Sequence, residues 1–220
     1  SLKWDTKNTR LISSMSAPLV FRHAISIISW EIFYILIERN NSETALAVSS
    51  TMRNIFGIFG SFTWAFAAAS SSMVSNIIGQ GQHDKVEHLI RSIVRLSTGM
   101  AIVVFIILNI APRLFLSIYG QSEEFITVGI PVVRVISVAM ILMSFSVVWV
   151  NAVTGTGNTK VSLLIEAVTI VLYCIYVYVI LEKLKLGITY GWMSEFLYWT
   201  SLFLPSFFYI RSGRWRKKVI

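Results

Sequence analysis

Six ionisable side chains stand inside long apolar stretches of this sequence: Arg22, His23, Glu31, Arg134, Glu166 and Glu195. A charge held in hydrocarbon is costly, so such residues mark ion or substrate pathways by default. A carboxylate there can take up a proton or a sodium ion, and a nearby arginine tunes that affinity. Glu31 lies roughly 9 Å beyond the centre of its stretch, at 1.5 Å per residue. Arg134 and Glu195 start eight and seven residues into theirs, which predicts a comparable depth. Glu166 starts from the opposite end and is a poor partner for Arg134. His23 and Glu31 are about 80° apart on a helix and can border one cavity, whereas Arg22 is about 180° from Glu31. Arg22 is close enough to a span end to snorkel. For Glu31 three readings stay open: a fixed ion pair with Arg134, an ion-coupling carboxylate tuned by Arg134, or exposure near the headgroups.

Two other stretches resemble chemistry and do not hold up by spacing. Val153-Thr-Gly-Thr-Gly-Asn-Thr-Lys160 has the glycines, hydroxyls and lysine of a phosphate loop. A phosphate loop places lysine directly after its last glycine and a Ser or Thr next. Here Lys160 comes three residues after Gly157 and is followed by Val161. The run His83-Asp84-x-x-Glu87-His88 could bind a metal weakly, but a solvated turn explains it better. No metal or cofactor is expected.

The elements around these residues are apolar and long. The chain has 220 residues, 55% hydrophobic and 14% charged, with a mean hydropathy of +0.69. Soluble domains carry about 25% charged residues. A single cysteine, Cys174, excludes an internal disulfide. The expected fold is all-α: a polytopic transmembrane bundle of six spans, at 13–37, 45–78, 92–112, 126–150, 161–181 and 188–210. The second is too long for one straight crossing, which predicts a tilt, a bend, or an interfacial start around Arg53. Pro131 and Pro205 lie within spans and are candidate kinks. Residues 1–12 read as an entry segment and 211–220 as a basic tail.

The net charge of +8 brackets the spans rather than forming a basic domain, which argues against nucleic acid. Twelve Lys and Arg fall on the side of both termini and five on the other. Both termini are therefore expected in the cytoplasm. The tail Arg211-Ser-Gly-Arg-Trp-Arg-Lys-Lys marks topology or binds anionic lipid. The polar start does not read as a signal peptide and lacks an initiator methionine, so a fragment or processed chain is expected.

Gly79-Gln-Gly81 with Lys85, and Gly155-Thr-Gly157 with Lys160, form two similar hairpins. Glycine suits the residue just past a helix end, and Asn158 and Thr159 are plausible caps for the next helix. Small residues from Gly57 to Ser72 predict close helix packing. Trp30, Ser61, Trp64 and Met143 are candidate cavity-lining residues, and Asn151 near an inner span end is a further candidate for ion or substrate contact. For most aromatics an interfacial belt or packing is the commoner role.

Taken in order, ALAVSS at 45–50, MVSNIIGQGQHDK at 73–85, GQSEEF at 120–125 and NAVTGTGNTK at 151–160 resemble the C-terminal half of a MATE (multidrug and toxic compound extrusion) transporter. The likeness runs from about Leu11 to Ile210. It implies two six-helix lobes enclosing a cavity, of which this chain is one, with residues 1–12 as the interlobe linker. The missing lobe is then either part of the same protein or a second half-size chain. The implied activity is export of cationic or amphipathic compounds in exchange for Na+ or H+ by alternating access, across a bacterial inner membrane, with no enzyme chemistry. A lipid-linked oligosaccharide flippase of the same superfamily and a non-transporting half-subunit are the alternatives. Some members carry coupling acids on the helices corresponding to 13–37 and 126–150. Glu31 lies about a turn from the first position, and no Asp or Glu occurs between Ile126 and Asn151.

Overall fold

The computed structural model describes residues 6–40, 43–119 and 122–217. Parts of the entry segment and of the basic tail, the Asn41-Ser42 turn and Gly120-Gln121 of the acidic turn lie outside the described residues. The described chain is helical throughout: α1 (Thr6–Asn40), α2 (Glu43–Gly79), α3 (Val86–Ile110), α4 (Pro112–Ser117), α5 (Glu123–Gly155), α6 (Thr159–Val177), α7 (Ile188–Trp192) and α8 (Ser194–Arg211). Short 3-10 turns occupy His83–Lys85 and Arg214–Lys217, and α6 is extended by a π-helical turn at Tyr178–Lys183.

Six passes result. Among the described residues, five are long and apolar enough to cross a membrane. The sixth, α7 plus α8, changes helix at Met193 and is richer in aromatic and polar residues, Glu195 among them. The second pass is one continuous helix of 37 residues, about 55 Å long against a hydrocarbon core of about 30 Å. Helix α5 runs through Pro131 as a single element.

Helix α5 is the most buried element and packs against α2, α3 and α8, while α1 lies mainly against α6. The small residues expected to let α2 approach its neighbours do so at one place above all. A Cβ on Gly155 would lie 2.5 Å from the Ser71 carbonyl oxygen. Only a hydrogen fits there, so α2 and α5 meet backbone to backbone. Met143 is fully buried and meets this interface at Gly60, where a Cβ would lie 3.2 Å from its methyl carbon.

Hydroxyls stitch the same block. Ser70 donates to the Val148 carbonyl at 3.0 Å, Ser97 to that of Ser144 at 2.9 Å, and Asn109 to the Ser137 hydroxyl at 2.8 Å. Each interhelical bond of this kind contributes about 0.6 kcal/mol on average.

The two glycine hairpins are alike in conformation. Gly81 and Gly157 have φ of +75° and +76°, the left-handed region that favours glycine. Gly81 and Gly157 each donate to the carbonyl three residues back, Ile78 and Thr154. The capping expectation is corrected. Asn158 occupies the N-cap position of α6, but its side chain donates to the Tyr209 hydroxyl on α8 and makes no capping bond.

At that end of the bundle the tail folds back. Trp215 is buried, its Nε1 donates to the Ile210 carbonyl at 2.9 Å, and His83 packs on its ring at 5.8 Å. Arg216 pairs with Asp84 at 3.2 Å, and Arg211 approaches Glu87 at 3.8 Å. Asp84 and Glu87 thus serve the tail and Arg91. No cluster able to hold a metal occurs among the described residues.

Candidate functional site

Two adjoining cavities lie on the seam between α1 and α6 on one side and α2, α5 and α8 on the other, and a separate one of about 250 Å³ opens at its hairpin end, beside Ser71, Gly155 and Thr159. The larger of the adjoining two has a volume of about 200 Å³. Helix α1 gives it Ser26, Ser29 and Trp30, α2 gives Arg53, Phe56, Gly57 and Trp64, α6 gives Tyr173, and α8 gives Glu195, Tyr198 and Trp199. The smaller, of about 30 Å³, is lined by Arg22 and His23 of α1, Asn151 of α5, Glu166 of α6 and Leu202 of α8, among others. Ser26, Trp64, Tyr198 and Trp199 belong to both, so they are the partition between them.

The aromatic walls are built by ring-on-ring packing. Tyr198 meets Trp199 edge-on at 4.7 Å and Tyr173 at 5.8 Å, and Trp199 stacks on Phe56 at 6.4 Å. Trp30 meets Trp192 at 5.8 Å. Trp192 in turn donates from Nε1 to the Ser49 hydroxyl at 3.2 Å, and Tyr34 donates to the Ser49 carbonyl at 3.0 Å. Arg53 sits over the rings of Trp30 and Tyr34 at 5.9 and 5.5 Å. Arg53 is therefore a cavity residue rather than a marker of the interface alone.

The charges are arranged in two stations. Glu195 is 3% exposed, and its Oε2 has no hydrogen-bond partner in the protein. Trp199, one helical turn on, turns its Nε1 toward the Glu195 carboxyl group but stays outside hydrogen-bond geometry. A buried carboxylate oxygen without a partner is expensive, so this oxygen is available to whatever enters the cavity. Glu166 is 5% exposed and accepts a hydrogen bond from the Tyr198 hydroxyl. Arg22, 7% exposed, lines the same small cavity and keeps Nη1 unpartnered.

This placement revises the sequence-based picture. Arg22 does not snorkel; it turns into the bundle beside Glu166. Glu31 and Arg134 are both exposed, form no ion pair with each other, and line neither cavity. Depth alone grouped them, but the faces of α1 and α5 that carry them point outward. His23 is exposed at the edge of the small cavity, so the 80° separation from Glu31 does not bring the two to one site. Trp30 and Trp64 line the cavity, and Asn151 lines the small one while donating to the Val147 carbonyl at 2.8 Å. Ser61 instead faces outward and donates to the Ile58 carbonyl, and Met143 is core filling.

Sequence reasoning did not single out Ser26 or Ser29, and it left Tyr173, Tyr198 and Trp199 among the aromatics for which packing is the commoner role. One signal was present: Glu166 and Tyr173 are seven apart on α6, and Glu195 and Tyr198 three apart on α8, which puts each pair on one helix face.

Comparison with known proteins gives a consistent answer. The MatE family model matches residues 18–179. None of the curated proteins compared with the chain matches it. Among solved structures, a MATE described in the straight conformation superposes with a TM-score of 0.86 at 15% identity, over 98% of this chain and 49% of that one. A MOP superfamily transporter from Pyrococcus furiosus, whose binding pocket is described as reversed in polarity, gives 0.78 at 16% identity over 92% and 44%. An outward-facing multidrug resistance MATE family transporter gives the same score, identity and coverage. The chain spans just under half the length of the solved chains it matches, and the likeness is one of fold.

Proposed function

Because the chain belongs to the MatE family, we propose that it is one lobe of a secondary active transporter that exports cationic or amphipathic compounds in exchange for Na+ or H+ by alternating access. The observation that carries this reading is Glu195: a buried carboxylate with a free oxygen, set in an aromatic cavity at a helix seam. An organic cation satisfies such a site twice, through the carboxylate and through ring faces. Pockets that hold drug-sized ligands measure roughly 300–1,000 Å³. The cavity of about 200 Å³ is therefore one wall of a site that a second lobe completes.

That second lobe is either another part of the same polypeptide or a second half-size chain. Under this reading the lobe sits in a bacterial inner membrane with both termini facing the cytoplasm, an orientation supported by the excess of Lys and Arg on their side. The chemistry is movement of an intact compound, with no bond made or broken in it, so the protein acts as a transporter and not as an enzyme. The test is gradient-driven uptake. Full-length protein is reconstituted in liposomes, a Na+ or H+ gradient is imposed, and the movement of fluorescent aromatic cations is followed. Accumulation that collapses with the gradient supports the reading. Failure of every cation to move under either gradient overturns it.

A further inference from the structure

The partition between the two cavities is Ser26, Trp64, Tyr198 and Trp199, and of these Tyr198 is the one bonded to a buried acid. Glu195 and Tyr198 stand three residues apart on α8, and the Tyr198 hydroxyl already donates to Glu166 on α6. Glu195 opens to the large cavity and Glu166 to the small one, while Tyr198 lines both. A phenol bonded to one buried carboxyl group, and one helical turn from another, can pass a proton without moving a helix, because its oxygen accepts as its hydrogen is given away.

We propose that Glu195, Tyr198 and Glu166 form a proton path between the two cavities, which makes H+ the coupling ion of the lobe. This rests on the transport reading and narrows it. In the step, the Glu195 carboxyl O–H bond breaks and its proton goes to a water in the large cavity, which gives up one of its own to the Tyr198 oxygen. The Tyr198 O–H bond breaks as its original hydrogen passes to a Glu166 carboxylate oxygen along the existing hydrogen bond. One proton leaves Glu195 and one arrives on Glu166; the phenol is regenerated, and rotation of its hydroxyl resets it. A cavity of about 200 Å³ has room for several waters, at about 30 Å³ each. The small cavity, at about 30 Å³, holds about one.

The surrounding charges suit the two stations. Arg53 of α2 and Tyr173 of α6 line the large cavity with Glu195 and Tyr198 of α8. Arg22 and His23 of α1 share the small cavity with Glu166. Helix α5 contributes a neutral amide, Asn151, and no charge to either. Arg22 thus supplies the positive charge that Glu166 faces once its proton has moved on.

The experiment uses the full-length protein with Tyr198→Phe, which keeps the ring and its packing and removes only the hydroxyl. Infrared difference spectra across a pH step report protonated carboxyl groups without requiring any substrate. The expected wild-type spectrum contains a carboxyl band that Glu195→Gln abolishes and a second, lost in Glu166→Gln, that Tyr198→Phe displaces. In liposomes, Tyr198→Phe is expected to lower substrate-evoked proton flux at least tenfold, while Glu31→Gln, exposed and outside both cavities, leaves it within twofold. Proton flux at the wild-type rate in Tyr198→Phe overturns the path, as does a carboxyl spectrum unchanged by that substitution. Cation movement driven by Na+ with no proton flux also overturns it and leaves the transport reading standing. Immobile cations together with the expected infrared bands overturn the transport reading and leave the path standing.

Discussion

The Tyr198 hydroxyl on α8 donates to the Glu166 carboxylate on α6, tying together the two helices that carry the buried acids. Both partners are held by packing: Tyr198 between Tyr173 and Trp199, and Glu166 beside Arg22. The consequences for ligand binding, packing and the tail can each be measured.

Glu195→Gln is expected to weaken binding of an aromatic monocation about tenfold or more, equivalent to at least about 1.4 kcal/mol. The substitution keeps the shape of the side chain and removes the charge facing the cavity. Glu31→Gln should change binding less than twofold, because Glu31 is exposed and lines neither cavity. Tryptophan quenching titrations on both variants test this, and an equal loss in the two would refute the assignment.

Gly155→Ala is expected to destabilise the lobe by about 1–3 kcal/mol, the usual cost of forcing a methyl into a filled site. Its Cβ would stand 2.5 Å from the Ser71 carbonyl oxygen, a backbone atom that cannot swing aside. Gly99→Ala, with open space around it, should be neutral or slightly stabilising. Thermal unfolding in detergent separates the two.

Gly157→Ala is expected to cost about 1–2 kcal/mol, since a Cβ at φ +76° is strained whatever space surrounds it. Gly81→Ala should behave alike, because that hairpin turns with the same hand. Closely matched shifts in unfolding temperature would support equivalence of the two turns; a large disparity would count against it.

Trp215→Ala is expected to release the tail and cost about 3–5 kcal/mol locally. The ring is buried against His83 and its nitrogen is bonded to Ile210. Asp84→Asn, which removes only an exposed partner of Arg216, should cost less than about 1 kcal/mol. Limited trypsin digestion at the tail arginines reads the difference: rapid cleavage in the first variant, near wild-type rates in the second.

The six passes were legible because each is a long apolar run bounded by charge or glycine, and the hairpins because Gly155-Thr-Gly157 and Gly79-Gln-Gly81 announce turns. The site was legible only by residue type. Glu195 and Glu166 stood out as acids in apolar surroundings, but so did Glu31, and nothing local tells which acid faces inward. Periodicity was no guide on α1, where apolar residues cover the whole circumference: Val20, Phe21, Ile27 and Ile28 are exposed while Phe33 and Ile37 are buried. The π-helical turn and the change of helix at Met193 also escaped, since both depend on how the end of α6 meets α7. Gly191 there leaves room for Leu181, whose side chain would lie 3.0 Å from an added Cβ.

The backbone contact at Gly155 has a mechanical corollary. Helices joined by their main chains cannot slide without a clash, so α2 and α5, with α3 fastened by Ser97 and Asn109, behave as a stiff slab. Helix α1 lies chiefly on α6 and has little contact with that slab. The compliant joint of the lobe therefore runs along the very line where Glu195, Tyr198 and Glu166 stand, and a hinge there would load the bonds that cross it, Tyr198 to Glu166 and Tyr34 to Ser49.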